Sequence, residues 1–222
     1  HNPMVGEIMR VQFHPDTQRY SVFSRSKGDQ TDWSLHAKGR MLADAVTRQI
    51  YQIDLAEFRA NCPNKIDTAK LYKQLHDRGL QYGPYFQGMK NIYTGDNAVF
   101  VEIEGHESLD ANEGGYLLHP SILDATFQSL VAIIDGDVDS PYVPTSIEQI
   151  AFYKSPGRKC YSYAVITEVH ASSVKGDITI TDEYGNVMVK LSGLTCRALS
   201  SDKKQTSKDW FYSFDWTAEA LE

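Results

Sequence analysis

The chain has 222 residues, 22 of them basic and 29 acidic, for a net charge of −7. That balance argues against a protein that tracks nucleic-acid phosphates and against a polybasic membrane-surface protein. With 41% hydrophobic and 23% charged residues, it reads as an ordinary globular chain, one large domain or two small ones, able to bury a core without metals or disulfides.

The first forty residues read as short strands. Residues 8–13 and 19–24 carry apolar positions at strand spacing, with the turn signal His14-Pro15-Asp16-Thr17 between them. Lys27-Gly28-Asp29-Gln30 is a second turn. A third strand over 33–41 puts Trp33, Leu35, Ala37 and Gly39 on one alternating face. No long helix precedes this meander, so residues 1–42 look incomplete as a core. Residues 43–66 read as a linker, with a helical turn over 54–59 and a break at Asn61-Cys62-Pro63-Asn64. Asp67 caps a helix over 68–77, with Leu71, Tyr72 and Leu75 on one face and Gly79 as its stop.

Strands return over 97–104. A helix follows over 120–134, with Pro120 at its first position. Ile122, Leu123, Phe127, Leu130, Val131 and Ile134 are too many for one stripe, so the helix reads as buried all round, with a length of about 22 Å. Strands over 146–153, 161–168, 178–182 and 187–196 complete the pattern, the last two joined at Tyr184-Gly185-Asn186. Strands, one buried helix, then antiparallel strands make an α+β pattern: a sheet wrapped on a central helix over 67–199. Residues 200–222 read as a polar linker and an aromatic tail that packs on a neighbouring domain.

Cys62, Cys160 and Cys196 are odd in number and far apart, which fits a reducing cytoplasm rather than a disulfide framework or zinc site. No apolar run is long enough for a membrane span. His1-Asn2-Pro3-Met4 is not a signal peptide. The chain starts without Met and reads as a fragment or a processed piece.

Two stretches carry chemistry. In His119-Pro120-Ser121-Ile122-Leu123-Asp124-Ala125-Thr126-Phe127-Gln128, a carboxylate lies among apolar neighbours with an amide four residues on. On spacing alone, Asp124 is either a functional group or an acid complementing the helix N-terminus, with Gln128 on a solvated face. Gln81-Tyr82-Gly83-Pro84-Tyr85-Phe86-Gln87-Gly88 is, by itself, readable as a turn with ring packing.

Together the two stretches resemble the dehydratase domain of modular polyketide synthases. Residues 82–88 are similar to that family's YGPxFQG motif and residues 119–128 to its HPxxLDxxxQ motif. Trp33 to Arg40 resembles its WxxHAxG strand, Pro144 takes the place of its (L/V)P motif, and residues 212–216 resemble the strand that opens the next domain. The resemblance implies a double hotdog, two sheets each wrapped on a helix, with the first hotdog incomplete here. It implies Asp124 as catalytic acid and Gln128 as its hydrogen-bonding partner, with Tyr82, Gly83, Phe86, His119 and Pro144 around the pocket. The implied reaction removes water from a β-hydroxyacyl thioester on the phosphopantetheine of an acyl carrier protein, giving an α,β-enoyl thioester. No cofactor or metal of the domain's own is implied. The implied partners are the carrier protein, other synthase domains and a second copy in a homodimer, with neither nucleic acid nor membrane.

An aspartate at about 3.9 is a poor acid at neutral pH, and desolvation by the helix neighbours would raise it. The family's base is a histidine in an HxxxGxxxxP motif, and this sequence contains none. Of its histidines, His36 reads as structural, His119 as orienting the helix start, and His76, His106 and His170 as exposed. The leading expectation is a dehydratase whose base lies outside this chain. The alternatives are a pseudo-dehydratase kept as a scaffold or carrier-docking element, and a pyran-forming or double-bond-shifting relative, which retention of Asp124 and Gln128 disfavours.

Overall fold

The computed structural model describes residues 7–26, 33–42, 51–112, 116–134 and 140–199. They fall into two units, one within residues 1–47 and one within 48–203. The tail over 200–222 lies outside the described residues.

The smaller unit is an antiparallel meander of β1 (Glu7–His14), β2 (Arg19–Ser26) and β3 (Ser34–Arg40). Met9, Val11, Phe13, Tyr20, Val22, Ala37 and Gly39 share one face. Arg10, Arg19, Arg25, Lys38 and Arg40 share the other, where Arg10 and Arg25 stand 4.1 and 4.7 Å from the Trp33 ring centre. Simple alternation puts Trp33 and Leu35 with Ala37; the structure does not. Val22 pairs with Ala37 but Phe23 pairs with Leu35, so one extra residue in β3 turns Leu35 to the basic face.

The larger unit starts inside the stretch expected to be a linker. Asp54 caps α1 (Leu55–Ala60), its Oδ1 accepting from the N–H groups of Ala56 and Glu57 at 2.8 and 3.3 Å. After it, β4 (Asn64–Ile66) hydrogen-bonds to β5 (Met89–Thr94). Both elements are too short to show a period, which is why residues 51–66 differ from their linker reading; residues 43–50 lie outside the described residues. Asp67 caps α2 (Thr68–Asp77), which buries Leu71 and Leu75 and stops at Gly79 with φ of 95°.

With β6 (Ala98–Glu104), β7 (Tyr142–Ser146), β8 (Gln149–Phe152), β9 (Lys159–His170), β10 (Ser173–Thr181) and β11 (Val187–Ala198), the strands form one antiparallel sheet. Its order is β4-β5-β6-β9-β10-β11-β7, and β8 also pairs with β11. Where a single strand is expected over 146–153, two short strands, β7 and β8, follow one another along the same edge of β11. The strands alternate cleanly. Val99, Val101, Ile103, Cys160 and Ala164 belong to the main core, while Ala98, Phe100, Tyr161 and Tyr163 meet Cys62 and Phe58 of the α1 region on the other face.

α3 (Pro120–Val131) packs on the main-core face. It is one turn shorter than its pattern predicts, about 18 Å. Ile133 and Ile134 continue only through i→i+3 bonds, to Leu130 and Val131, a tightened last turn. Nor is it apolar all round. Ser121, Ile122, Ala125, Thr126, Gln128, Ser129 and Leu130 are buried, whereas Leu123, Phe127 and Val131 are only partly covered. The small residues let the helix approach the sheet closely, and the hydroxyls are satisfied locally: Thr126 donates to the Leu123 carbonyl at 2.7 Å and Ser129 to that of Thr126 at 2.6 Å. Among the described residues no helix is long and apolar enough to cross a membrane.

Candidate active site

Gln128, in the second half of α3, brings the two sequence stretches together. Gln128 Nε2 donates to Asp124 Oδ2 at 2.7 Å, one helical turn back, and to the Phe86 carbonyl at 3.0 Å. Phe86 belongs to a 3-10 turn over Pro84–Phe86, so a single amide ties both stretches. Their approach depends on Gly88, where a Cβ would lie 3.2 Å from that of Ala125. Gly83 has a different place: a Cβ there would meet nothing within 4 Å. Gln128, read on spacing as either a partner or a solvated side chain, is 3% exposed.

Tyr82 stands beside this pair. Its ring meets that of Tyr72 edge-on, with centroids 6.3 Å apart. Burial pushes the Tyr82 hydroxyl up, and the neighbouring Asp124, Tyr72 and Cys196 push the same way. Pro144 is exposed on β7, opposite Cys196 of β11. There a proline suits an edge strand, whose outer N–H groups need no partner.

Tyr72 is the residue that sequence reasoning missed. Its hydroxyl donates to Gln128 Oε1 at 3.1 Å and accepts from the Met89 N–H at 3.1 Å. A signal was present: a tyrosine beside Leu71 and Leu75 on the buried face of α2 must find a partner for its hydroxyl.

His119 is the N-cap of α3. Its Nδ1 accepts from the Ser121 N–H at 3.2 Å and pairs with Ser121 Oγ at 2.8 Å. A backbone N–H can only donate, so Nδ1 holds the lone pair and Nε2 the proton. Burial lowers its pKa from the ordinary 6.5. Of the other histidines, His36 bonds Ser24 Oγ at 2.7 Å within the smaller sheet, and His106 is half-buried, stacked on Tyr85 at 4.2 Å rather than exposed. Among the described residues Asp124 is hydrogen-bonded by Gln128 and by no histidine.

Burial raises the Asp124 pKa above 3.8, and the Gln128 hydrogen bond opposes that rise. The result is a largely buried carboxyl, costly to ionise, with one oxygen held by an amide. A cavity of about 780 Å³ lies at the other end of α3, against Ile66, Leu71, Leu75, Arg78, Val131 and Ile134. None of the candidate residues lines it, and it offers no comparable acid. Among the described residues no three His, Cys, Asp or Glu side chains gather as metal ligands would.

The family model for the polyketide synthase dehydratase N-terminal domain matches residues 52–206. The phthioceranic/hydroxyphthioceranic acid synthase of Mycobacterium tuberculosis is 30% identical over 146 residues, which is 64% of this chain and 7% of the synthase. The chain thus spans a small part of the curated relatives it matches. Among solved structures, the CurK dehydratase in an inactive histidine-to-phenylalanine form is 28% identical with a TM-score of 0.78, over 89% of this chain and 69% of that one. An inactive aspartate-to-asparagine form of CurK is 28% identical with a TM-score of 0.75, over 86% of this chain and 66% of that one.

Proposed function

The chain belongs to the polyketide synthase dehydratase family, as a partial double hotdog of α+β class, and from that premise we propose that it supplies the acid half of a dehydration site. Its substrate is a β-hydroxyacyl thioester on the phosphopantetheine of an acyl carrier protein, and its product the α,β-enoyl thioester. Asp124 protonates the departing β-hydroxyl, while a histidine from a segment outside this sequence takes the α-proton. Gln128 holds Asp124 in place. Tyr82, Gly83, Phe86 and Pro144 border the substrate, and His119 sets the start of the helix that carries the acid. The carrier protein and the remaining synthase domains are the partners, with a homodimer as the assembly and the cytoplasm as the compartment.

The observation that carries this reading is the buried Gln128 amide, which locks a desolvated carboxyl onto the 82–88 stretch. CurK, inactive in both its histidine-to-phenylalanine and aspartate-to-asparagine forms, supports a two-residue division of labour. The pseudo-dehydratase alternative has less support, because a scaffold has no need of a desolvated carboxyl at a site built to hold it. In the full synthase, Asp124→Asn should stop conversion of a carrier-bound β-hydroxyacyl chain, as read by mass spectrometry, with the fold retained. Wild-type conversion by that variant would remove Asp124 from the mechanism.

A further inference from the structure

Three of the four hydrogen-bonding positions of the Gln128 amide are taken, both of its N–H donors among them. Nε2 donates to Phe86 O and Asp124 Oδ2, and Oε1 accepts from Tyr72. The direction of this chain of bonds is imposed from both ends by backbone groups. The Met89 N–H can only donate, so it claims the Tyr72 oxygen and turns the phenolic hydrogen toward Gln128. The Phe86 carbonyl can only accept, so it requires the NH2 edge of the amide. Turning the amide over would set Oε1 against a carbonyl and NH2 against a hydroxyl hydrogen.

The consequence falls on Asp124. Its Oδ2 faces an N–H and must accept, so a neutral carboxyl carries its hydrogen on Oδ1. We propose that Tyr72 is a positioning residue of the dehydratase site: acting through Gln128, it commits Asp124 Oδ2 to accepting and leaves the transferable proton on Oδ1. The use of that proton rests on the dehydration reading above. In that step the Oδ1–H bond breaks and the proton joins the β-hydroxyl oxygen. The C–O electrons leave with the water, and the electrons of the α-C–H bond, whose proton goes to the base, form the double bond. Asp124 is left as a carboxylate, and the Gln128 N–H already in place then bonds to a charged oxygen, about twice as strongly as to a neutral one.

The groups around Asp124 leave this network in control of its titration. Tyr72 on α2 and Tyr82 before the 3-10 turn both feel the carboxyl, and burial pushes both phenols up, so they stay neutral. The core-facing titratable groups of the sheet are Tyr142 on β7, Cys160 on β9 and Cys196 on β11, the two thiols pushed up to about 12 and about 11. Glu102 and Glu104 on β6 alternate with core residues and lie on the opposite face, as do Lys175 and Asp177 on β10. His119, at the start of α3, is held by Ser121.

The test needs no substrate, so its failure and that of the dehydration reading are separable. The Asp124 carboxyl is titrated by carbon NMR in this chain, in Tyr72→Phe, in Gln128→Met and in the double variant. Tyr72→Phe removes one of the two anchors that hold the amide, leaving only the Phe86 carbonyl, so the Gln128 bond to Asp124 loosens and the Asp124 midpoint should move up. Gln128→Met should move it the same way, and the double variant no further than Gln128→Met alone. An unmoved midpoint in a folded Tyr72→Phe, or shifts that add, would overturn the proposal. A second reading needs no variant: one Gln128 side-chain N–H, the one on Asp124, should shift as the carboxyl titrates while its geminal partner on Phe86 stays still. Movement of both or of neither would overturn it equally. In the full synthase, Tyr72→Phe should lower kcat roughly 10–10²-fold and carry the alkaline limb of the pH profile upward, whereas a merely structural lesion lowers the profile without moving it.

Discussion

A buried carboxyl is costly to ionise, and in Asp124 that cost is visible as burial only partly offset by one amide. The folded pKa lies above the unfolded one, so the unfolded chain gives up this proton first as pH rises. Asp124 therefore contributes most to stability below about 3.8, and that contribution is lost as pH rises through the folded value. At neutral pH the native residue is a burden. Asp124→Asn keeps an oxygen for Gln128 and adds no charge, so its melting temperature at pH 7 should equal or exceed that of wild type. A gain of about 1 kcal/mol would read as roughly 2–4 °C in a chain of this size. The gain should vanish by pH 3; a variant less stable at pH 7 would show that the ionised carboxylate is the form the fold favours.

At the scale of elements, α3 is held by closeness rather than by a wide apolar stripe. Gly176 on β10 makes this plain: a Cβ there would lie 2.6 Å from Leu130 Cδ1 and 2.5 Å from the Val165 carbonyl oxygen. The methyl of Gly176→Ala meets backbone on one side and the helix on the other, so it should cost about 1–3 kcal/mol, the usual range for overpacking. Gly83→Ala, with open space around it, should leave the melting curve unchanged. Equal losses in the two variants would mean that α3 sits farther from the sheet than described. Such closeness is hard to read from sequence. The pattern over 120–134 gave the helix and its start, because Pro120 and the apolar run are local signals. It did not separate Phe127, half-covered, from Thr126, buried, because that depends on which strand lies below. Likewise Asp124 and Gln128 were legible as a pair four residues apart, and motif resemblance joined them to Tyr82. Tyr72, 56 residues from Gln128, could be placed only by folding the chain.

The whole molecule divides its chemistry unequally. The larger unit holds a buried carboxyl tied to an amide; the smaller is a three-stranded sheet, and among the described residues the side-chain hydrogen bond of its histidines, His36 to Ser24, is internal to that sheet. Dehydration needs both an acid and a base, and a base near neutrality is worth roughly 10²–10⁴-fold. The sequence holds seven histidines and no HxxxGxxxxP motif. His119 is nearest in sequence to the acid and is the natural suspect, yet its one lone pair is committed to the N-cap of α3. To accept a proton there it would have to release Ser121, and its lowered pKa runs the same way. The folded value lies below 6.5, so the capping contribution is present above pH 6.5 and is lost as pH falls through the folded value, which makes His119 a group that serves by staying neutral. The 222-residue chain, given a carrier-bound β-hydroxyacyl thioester, should therefore form no enoyl product by mass spectrometry. Supplying a segment that bears the histidine motif, in cis or as a separate chain, should restore product while Asp124 is present and fail to do so in Asp124→Asn. Should the 222-residue chain dehydrate its substrate unaided, His119→Asn becomes the deciding variant. Asparagine preserves the cap but cannot take a proton, so loss of product there would place the base inside this chain and overturn the division of labour proposed here.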